Sequence, residues 1–160
     1  MLRPTVIGAT LILLLACGGD DRGLGPGDRI GPARLVRGAA EDVTLWDFCD
    51  PELPEPGVYE RACSVPSVDR LRIGPGWRAS STEALQEEWG ELDWRLSFDR
   101  RAIDLEAFGT LPETTLADGR LVREWNVTAE GLTEGTHRLR SMMDLGDQTY
   151  AVTWVIRVGR

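Results

Sequence analysis

The sequence predicts an all-β fold, an antiparallel sandwich of about seven strands with one short helix. Apolar residues recur with period two, turn-forming residues punctuate the chain between those segments, and only one stretch has helical character. Val43 to Phe48 and Asp69 to Ile73 are the first two strand candidates. Gly74-Pro75-Gly76 then stops the chain from continuing straight. Ser80, followed three residues later by Glu83, fits a capping box, and Ala84 to Trp89 supplies two helical turns ending at Gly90. Leu85 and Trp89 lie four apart, so both face the sheet as packing residues.

Glu91 to Phe98 alternates without a fault, which places Leu92, Trp94, Leu96 and Phe98 on one side and the charges on the other. Asp99-Arg100-Arg101 turns into a short strand at Ala102 to Leu105. Leu121 to Thr128 and Thr136 to Met143 follow, bounded by Asp118-Gly119 and Glu134-Gly135. Gln148 to Val158 closes the series, after Gly146-Asp147, with Tyr150, Val152, Trp154, Ile156 and Val158 in phase. Strands at this spacing, without alternating long helices, make a sandwich.

The N-terminus carries an address. Arg3 precedes an apolar run from Thr5 to Ala16, too short to cross a bilayer and suited to an export signal. Leu14-Leu15-Ala16-Cys17 resembles the lipobox of bacterial lipoproteins. That resemblance implies a signal peptide over 1–16 and acylation of Cys17, which becomes the first residue of the mature chain. It implies a lipid bilayer, cell membrane or outer membrane, as the partner of that anchor, with the remainder outside the cytoplasm. Each buried methylene adds about 0.8 kcal/mol of membrane affinity, so two or more acyl chains hold where one would not. Residues 17–40 are rich in Gly, Pro, Asp and Arg and read as a flexible tether, with the β-sandwich domain over 41–160. A coil of about 24 residues reaches roughly 25–30 Å.

The formal charge is −8, from 26 acidic residues against 18 basic ones, all of them arginine. Nucleic acid is excluded as a partner, because it requires clustered positive charge. With Cys17 assigned to lipid, Cys49 and Cys63 remain as an even pair in an exported protein and form a disulfide. Two lone cysteines without a nearby histidine fall short of a zinc site, so no metal is expected. The enclosed segment, with Pro51, Pro54, Pro56 and Gly57, has little regular structure of its own.

Gly131-Leu132-Thr133-Glu134-Gly135-Thr136-His137-Arg138-Leu139-Arg140 resembles a recurring edge of bacterial immunoglobulin-like domains, where such a turn leads into a strand. The resemblance implies an immunoglobulin-like antiparallel β-sandwich outside the cytoplasm, with no catalytic residues.

No catalytic constellation emerges from the residues themselves. His137, the one histidine, is in phase with Leu139 and reads as a core histidine donating to a backbone carbonyl. Glu87 with Glu88 and Glu91 with Asp93 are solvated faces, since glycoside cleavage needs converging carboxylates. Asp118-Gly119 and Asp144 to Asp147 read as hairpin connections, not calcium loops. No phosphate loop or dinucleotide fingerprint is present, and no cofactor is expected.

Six tryptophans exceed average usage, and two of them, Trp46 and Trp77, fall outside the core phase. Exposed together they form an aromatic ligand-binding platform; packed down, they cover the core from loops. The expected function is therefore a membrane-anchored, non-catalytic binding, presentation or structural role at the cell envelope, toward an envelope protein or a glycan. The alternative is a carbohydrate-binding accessory module or a small glycan-acting hydrolase.

Overall fold

Perfect alternation in the last two long strand segments builds the larger layer. The computed structural model describes residues 22–52 and 55–159; the proposed signal peptide and Cys17 lie outside the described residues. The strands are β1 (Arg29–Ile30), β2 (Ala33–Val36), β3 (Val43–Thr44), β4 (Gly57–Pro66), β5 (Arg70–Arg72), β6 (Gly76–Ala79), β7 (Leu92–Phe98), β8 (Arg101–Ile103), β9 (Thr114–Thr115), β10 (Leu121–Glu124), β11 (Thr128–Glu130), β12 (Gly135–Leu145) and β13 (Gln148–Gly159). Helix α1 spans Thr82–Glu91 and α2 spans Leu105–Phe108, and a single 3-10 turn covers Leu45–Asp47.

The first layer is a five-stranded sheet in the order β4-β13-β12-β7-β8. Its centre is the hairpin of β12 and β13, paired from Leu145↔Gln148 to Gly135↔Val158 across the two-residue Gly146-Asp147 loop. Gly146 sits there at φ +60°, a conformation that a Cβ makes costly. The other tight hairpin, β7 to β8, turns through Asp99 and Arg100, both at positive φ. Side chains of the inner face fall into rows: Trp154, Leu139 and Phe98 are opposite one another, as are Tyr150, Met143 and Trp94. The first row is fully enclosed, and the second lies nearer the hairpin end.

The second layer is one bent ribbon. Chain segments 70–79 and 121–130 pair as β5 with β11 and as β6 with β10, and the register is the same on both sides of the break. Between the two halves, Ile73-Gly74-Pro75 passes Trp125-Asn126-Val127 with altered bonding: Trp125 N–H donates to the Pro75 carbonyl, and Ile73 and Gly74 N–H both point at the Val127 carbonyl. The ladder therefore turns a corner and joins two different sheets, β1-β2-β11-β5-β3 and β6-β10-β9. Leu35, Leu71, Ile73, Val127 and Ala129 on the first of these pack against Phe98, Leu139, Trp154 and Ile156 to form the core. Helix α1 covers the second, with Leu85 fully buried.

The all-β sandwich is thus present, with differences from the sequence reading in detail. Residues 22–40 are not a free tether from end to end. Leu24 bridges Ile103, β1 and β2 form a hairpin, and Leu35 is fully buried, because four apolar residues at 24, 30, 33 and 35 suffice to add two strands to an existing sheet edge. Segment 57–66 is a ten-residue strand with Tyr59, Arg61, Cys63 and Val65 inward, and it pairs parallel to β13. Parallel pairing also joins β3 to β5, so the sheets are mixed. Val43 to Phe48 is a strand for only two residues. Thr44 then caps the 3-10 turn, its hydroxyl accepting from Trp46 N–H. Leu105 begins a helix, since Asp104 accepts from Ala107 N–H as N-cap. Ser81, not Ser80, caps α1, and the helix runs through Gly90.

One buried carboxylate ties the second layer together. Asp42 receives Arg70 through both its Nε (2.8 Å) and Nη2 (3.1 Å), the Ala39 N–H and the Thr128 hydroxyl. The Arg70 hydrogen bond above all, with the Ala39 N–H, holds this carboxyl below the usual carboxylate range against the opposing effect of burial. A depressed folded-state value means stability that is present above the unfolded value, about pH 4, and lost as pH falls through the folded one. Asp42→Asn is expected to cost about 1–2 kcal/mol at neutral pH and to flatten the acid limb below pH 4. Urea melts between pH 2.5 and 7 measure both effects.

Candidate functional site

The inner face of the five-stranded sheet is not apolar throughout. Toward the β12–β13 hairpin it carries Tyr150, Ser141, Met143 and Trp94, and at its β4 edge the inward Arg61. Ser141 lies between the apolar inward positions Leu139 and Met143 yet is only 4 % exposed. The ribbon beyond the Gly74 corner faces this region with Arg78, Val122 and Glu124, Arg78 being opposite Val122 across the pairing. A cleft of about 590 Å³ opens between them. That volume lies within the ordinary range of small-ligand sites.

The third wall is the segment after the 3-10 turn, Cys49 to Glu52. Its disulfide to Cys63 of β4 is formed, with the two Cα atoms 5.4 Å apart. Cys63 points inward beside Ile156, so the bridge clamps this segment onto the inner sheet face. The Asp50 carbonyl accepts from the Trp154 indole N–H (3.2 Å) and from Arg61 (3.0 Å), and the Asp50 carboxylate pairs with Arg61 at 2.6 Å.

Both tryptophans singled out in the sequence line this one cleft, and both are half-buried. Trp46 lies edge-on to Trp154 with ring centroids 5.1 Å apart, and its indole N–H donates to the Gly74 carbonyl at 2.8 Å. Trp77 shares the α1 side of its strand with Ala79, and its indole N–H donates to the Glu88 carboxylate. Each ring is thus packed, with its orientation fixed by a hydrogen bond; Trp46 presents its ring to the cleft, whereas the Trp77 ring is turned toward α1. Trp94 and Tyr150 add two further half-buried aromatic rings.

Charge in the cleft is internally matched. Arg78 pairs with Glu52 at 3.0 Å, and Arg120 with Asp118 at 2.7 Å and with Glu52 at 3.9 Å. Glu124 lies 3.5 Å from Arg72. Burial pushes the Glu124 carboxyl above the usual range, opposed by the charges of Arg72 and Arg78. Sequence reading missed Arg61, Arg78 and Glu124. Arg61 carried no signal of its own, because it is an inward charge on a segment that does not alternate in hydropathy.

His137 stands apart from this cleft. Its ring stacks on Phe98, its Nδ1 meets the Asp99 carboxylate at 2.7 Å, and its Nε2 faces the Thr133 carbonyl at 3.0 Å. Asp99 also accepts from Arg138 N–H, so the histidine braces the β7–β8 turn against β12. A second hollow, lined by Ser97, Arg100, Arg138 and Arg140, lies on the outer sheet face and has no aromatic side chain. Among the described residues, no three His, Cys, Asp or Glu side chains converge as metal ligands, and no helix is long and apolar enough to cross a membrane.

Compared with protein-family models, with curated proteins and with solved structures, the chain matches none. The reading of its function rests on its own residues.

Proposed function

We propose that this chain is a lipid-anchored, extracytoplasmic, non-catalytic binding domain, and that the cleft between the five-stranded sheet and the bent ribbon is its ligand site. The observation that carries the site is the convergence of Trp46, Trp94 and Tyr150 on one cavity whose polar rim is already oriented by ion pairs. Preorganised aromatic surface binds at low entropic cost, and that suits recognition.

The anchor rests on the lipobox resemblance at Leu14 to Cys17. Since Leu24 already belongs to the folded body, the seven steps from Cys17 to Leu24 allow a covalent reach of at most about 25 Å from an acylated Cys17. The cleft would then work close to the headgroups. Cys17→Ser is expected to move the protein from the membrane fraction to the soluble one, and intact mass of the wild-type chain to show the added acyl groups. An unmodified thiol removes the anchor from the proposal.

The site is tested separately by ligand-observed and indole N–H NMR with a small-molecule fragment library. Fragments should perturb the Trp46 and Trp94 signals, and Tyr150→Ala should abolish these hits while lowering stability by only about 1 kcal/mol, its ring being half-buried. Trp46→Ala should cost more, about 2–3 kcal/mol, because it also removes the contact with Trp154 and the bond to Gly74. Fragments that bind elsewhere and leave the indole signals in place would refute the cleft as the site.

A second reading, a small glycan-acting hydrolase, is favoured by one observation. Glu124 has a raised pKa in the cleft, as a general acid requires. Glycan turnover that disappears in Glu124→Gln would replace the binding reading with this one.

A further inference from the structure

Resting on the cleft as the ligand site, we infer that its ligand is an uncharged oligosaccharide. The walls present two kinds of surface. Trp46, Trp94 and Tyr150 offer flat apolar area of the sort that covers the C–H face of a sugar ring. Between them stand guanidinium and carboxylate groups that are each held by a partner: Arg61 by Asp50, Arg78 by Glu52, and Glu124 near Arg72.

Pairing of this kind selects against a charged ligand. An anion competes with Asp50 or Glu52 for its arginine, and a cation competes with the arginine, so a charged ligand gains less than at an unpaired site, by up to about fivefold, or about 1 kcal/mol, for each of these exposed pairs. A wholly apolar ligand is disfavoured for a different reason. It would cover Arg61, Glu52, Glu124 and the floor hydroxyl of Ser141 and strip them of water without replacing the lost hydrogen bonds. A hydroxyl group both donates and accepts, so it can bond a carboxylate and a guanidinium of one pair while leaving the pair in place. A ligand with several hydroxyls around an apolar ring face meets all of these conditions, and a cavity of about 590 Å³ has room for a short chain of such rings.

The test is a glycan array probed with the purified folded chain, carrying neutral, uronic and sulfated oligosaccharides together, followed by titration of the best neutral binder against intrinsic tryptophan fluorescence. Binding should favour neutral glycans. Tyr150→Ala should weaken it at least tenfold and Glu52→Gln severalfold, while Val58→Ser, on the outer sheet face and 83 % exposed, leaves it unchanged. Glu52 is exposed, so its variant keeps the test valid should Tyr150→Ala fold poorly. Tighter binding of uronic or sulfated glycans, or no glycan bound at all, overturns the inference. If in that case the fragment library still perturbs the cleft indoles, the site stands and only its ligand class falls; silence in both experiments sinks both.

Discussion

Gly74→Ala is expected to lower stability by more than about 3 kcal/mol, and to lower the melting temperature by roughly 10 °C or more in a domain of this size. A Cβ built on Gly74 would stand 1.8 Å from the Trp125 carbonyl oxygen and 2.7 Å from its carbon. Both are backbone atoms, so no side chain can swing away to relieve the overlap. The chain would have to open the corner of the ribbon, and four hydrogen bonds meet there. Trp125 N–H to Pro75, Ile73 and Gly74 N–H to Val127, and the Trp46 indole to the Gly74 carbonyl would all be disturbed. Calorimetry of the variant checks the magnitude. A melting temperature within a degree or two of wild type would show that the corner adapts freely.

Removing the disulfide should have the next largest effect. Closing a loop with cysteines 14 residues apart contributes on the order of 3 kcal/mol under the chain-entropy model. Cys49→Ser with Cys63→Ser should lose about that much in chemical denaturation, and reductant should reproduce it in the wild type. The consequence for the cleft is more specific. The bridge holds the segment carrying Asp50 to Glu52 against β4, and Trp46 lies just before it. Without it the Arg61–Asp50 and Arg78–Glu52 pairs lose their fixed positions, so any ligand affinity should fall by more than the stability loss alone explains. Equal affinity in oxidised and reduced protein, both folded, would contradict that link.

The sequence revealed the long strands most clearly, because period-two alternation in Leu92 to Phe98 and Tyr150 to Val158 leaves one solution for which side is inward. It also revealed the cysteine pair, and His137 as a packed residue bonded to a backbone carbonyl. It concealed β1 and β2, whose two and four residues carry no period of their own and are strands only because β11 offers them an edge. β4 was hidden differently. Its inward positions include Arg61 and its start is crowded with prolines, so a strand that alternates well in space does not alternate in hydropathy. Of the site, Trp46 and Trp77 were legible as tryptophans out of phase. That Trp46 reaches the cavity while the Trp77 ring turns to α1 depends on the fold, since the corner at Gly74 sets which side of the ribbon each residue faces. Glu124 could not be read as buried, because it falls on the expected strand Leu121 to Thr128 but its burial depends on how that strand packs against the five-stranded sheet.

The unbroken register of the ribbon restricts how this protein can vary. Its two halves serve different layers, one sealing the core and the other roofing the cleft, yet the same chain segments thread both. A single residue gained or lost within 70–79 or 121–130 would turn core side chains outward on one side of the bend and cleft side chains away on the other. Length changes should therefore be tolerated in the turn at 116–120, and remodelling of the binding surface should proceed by exchanging side chains at fixed positions.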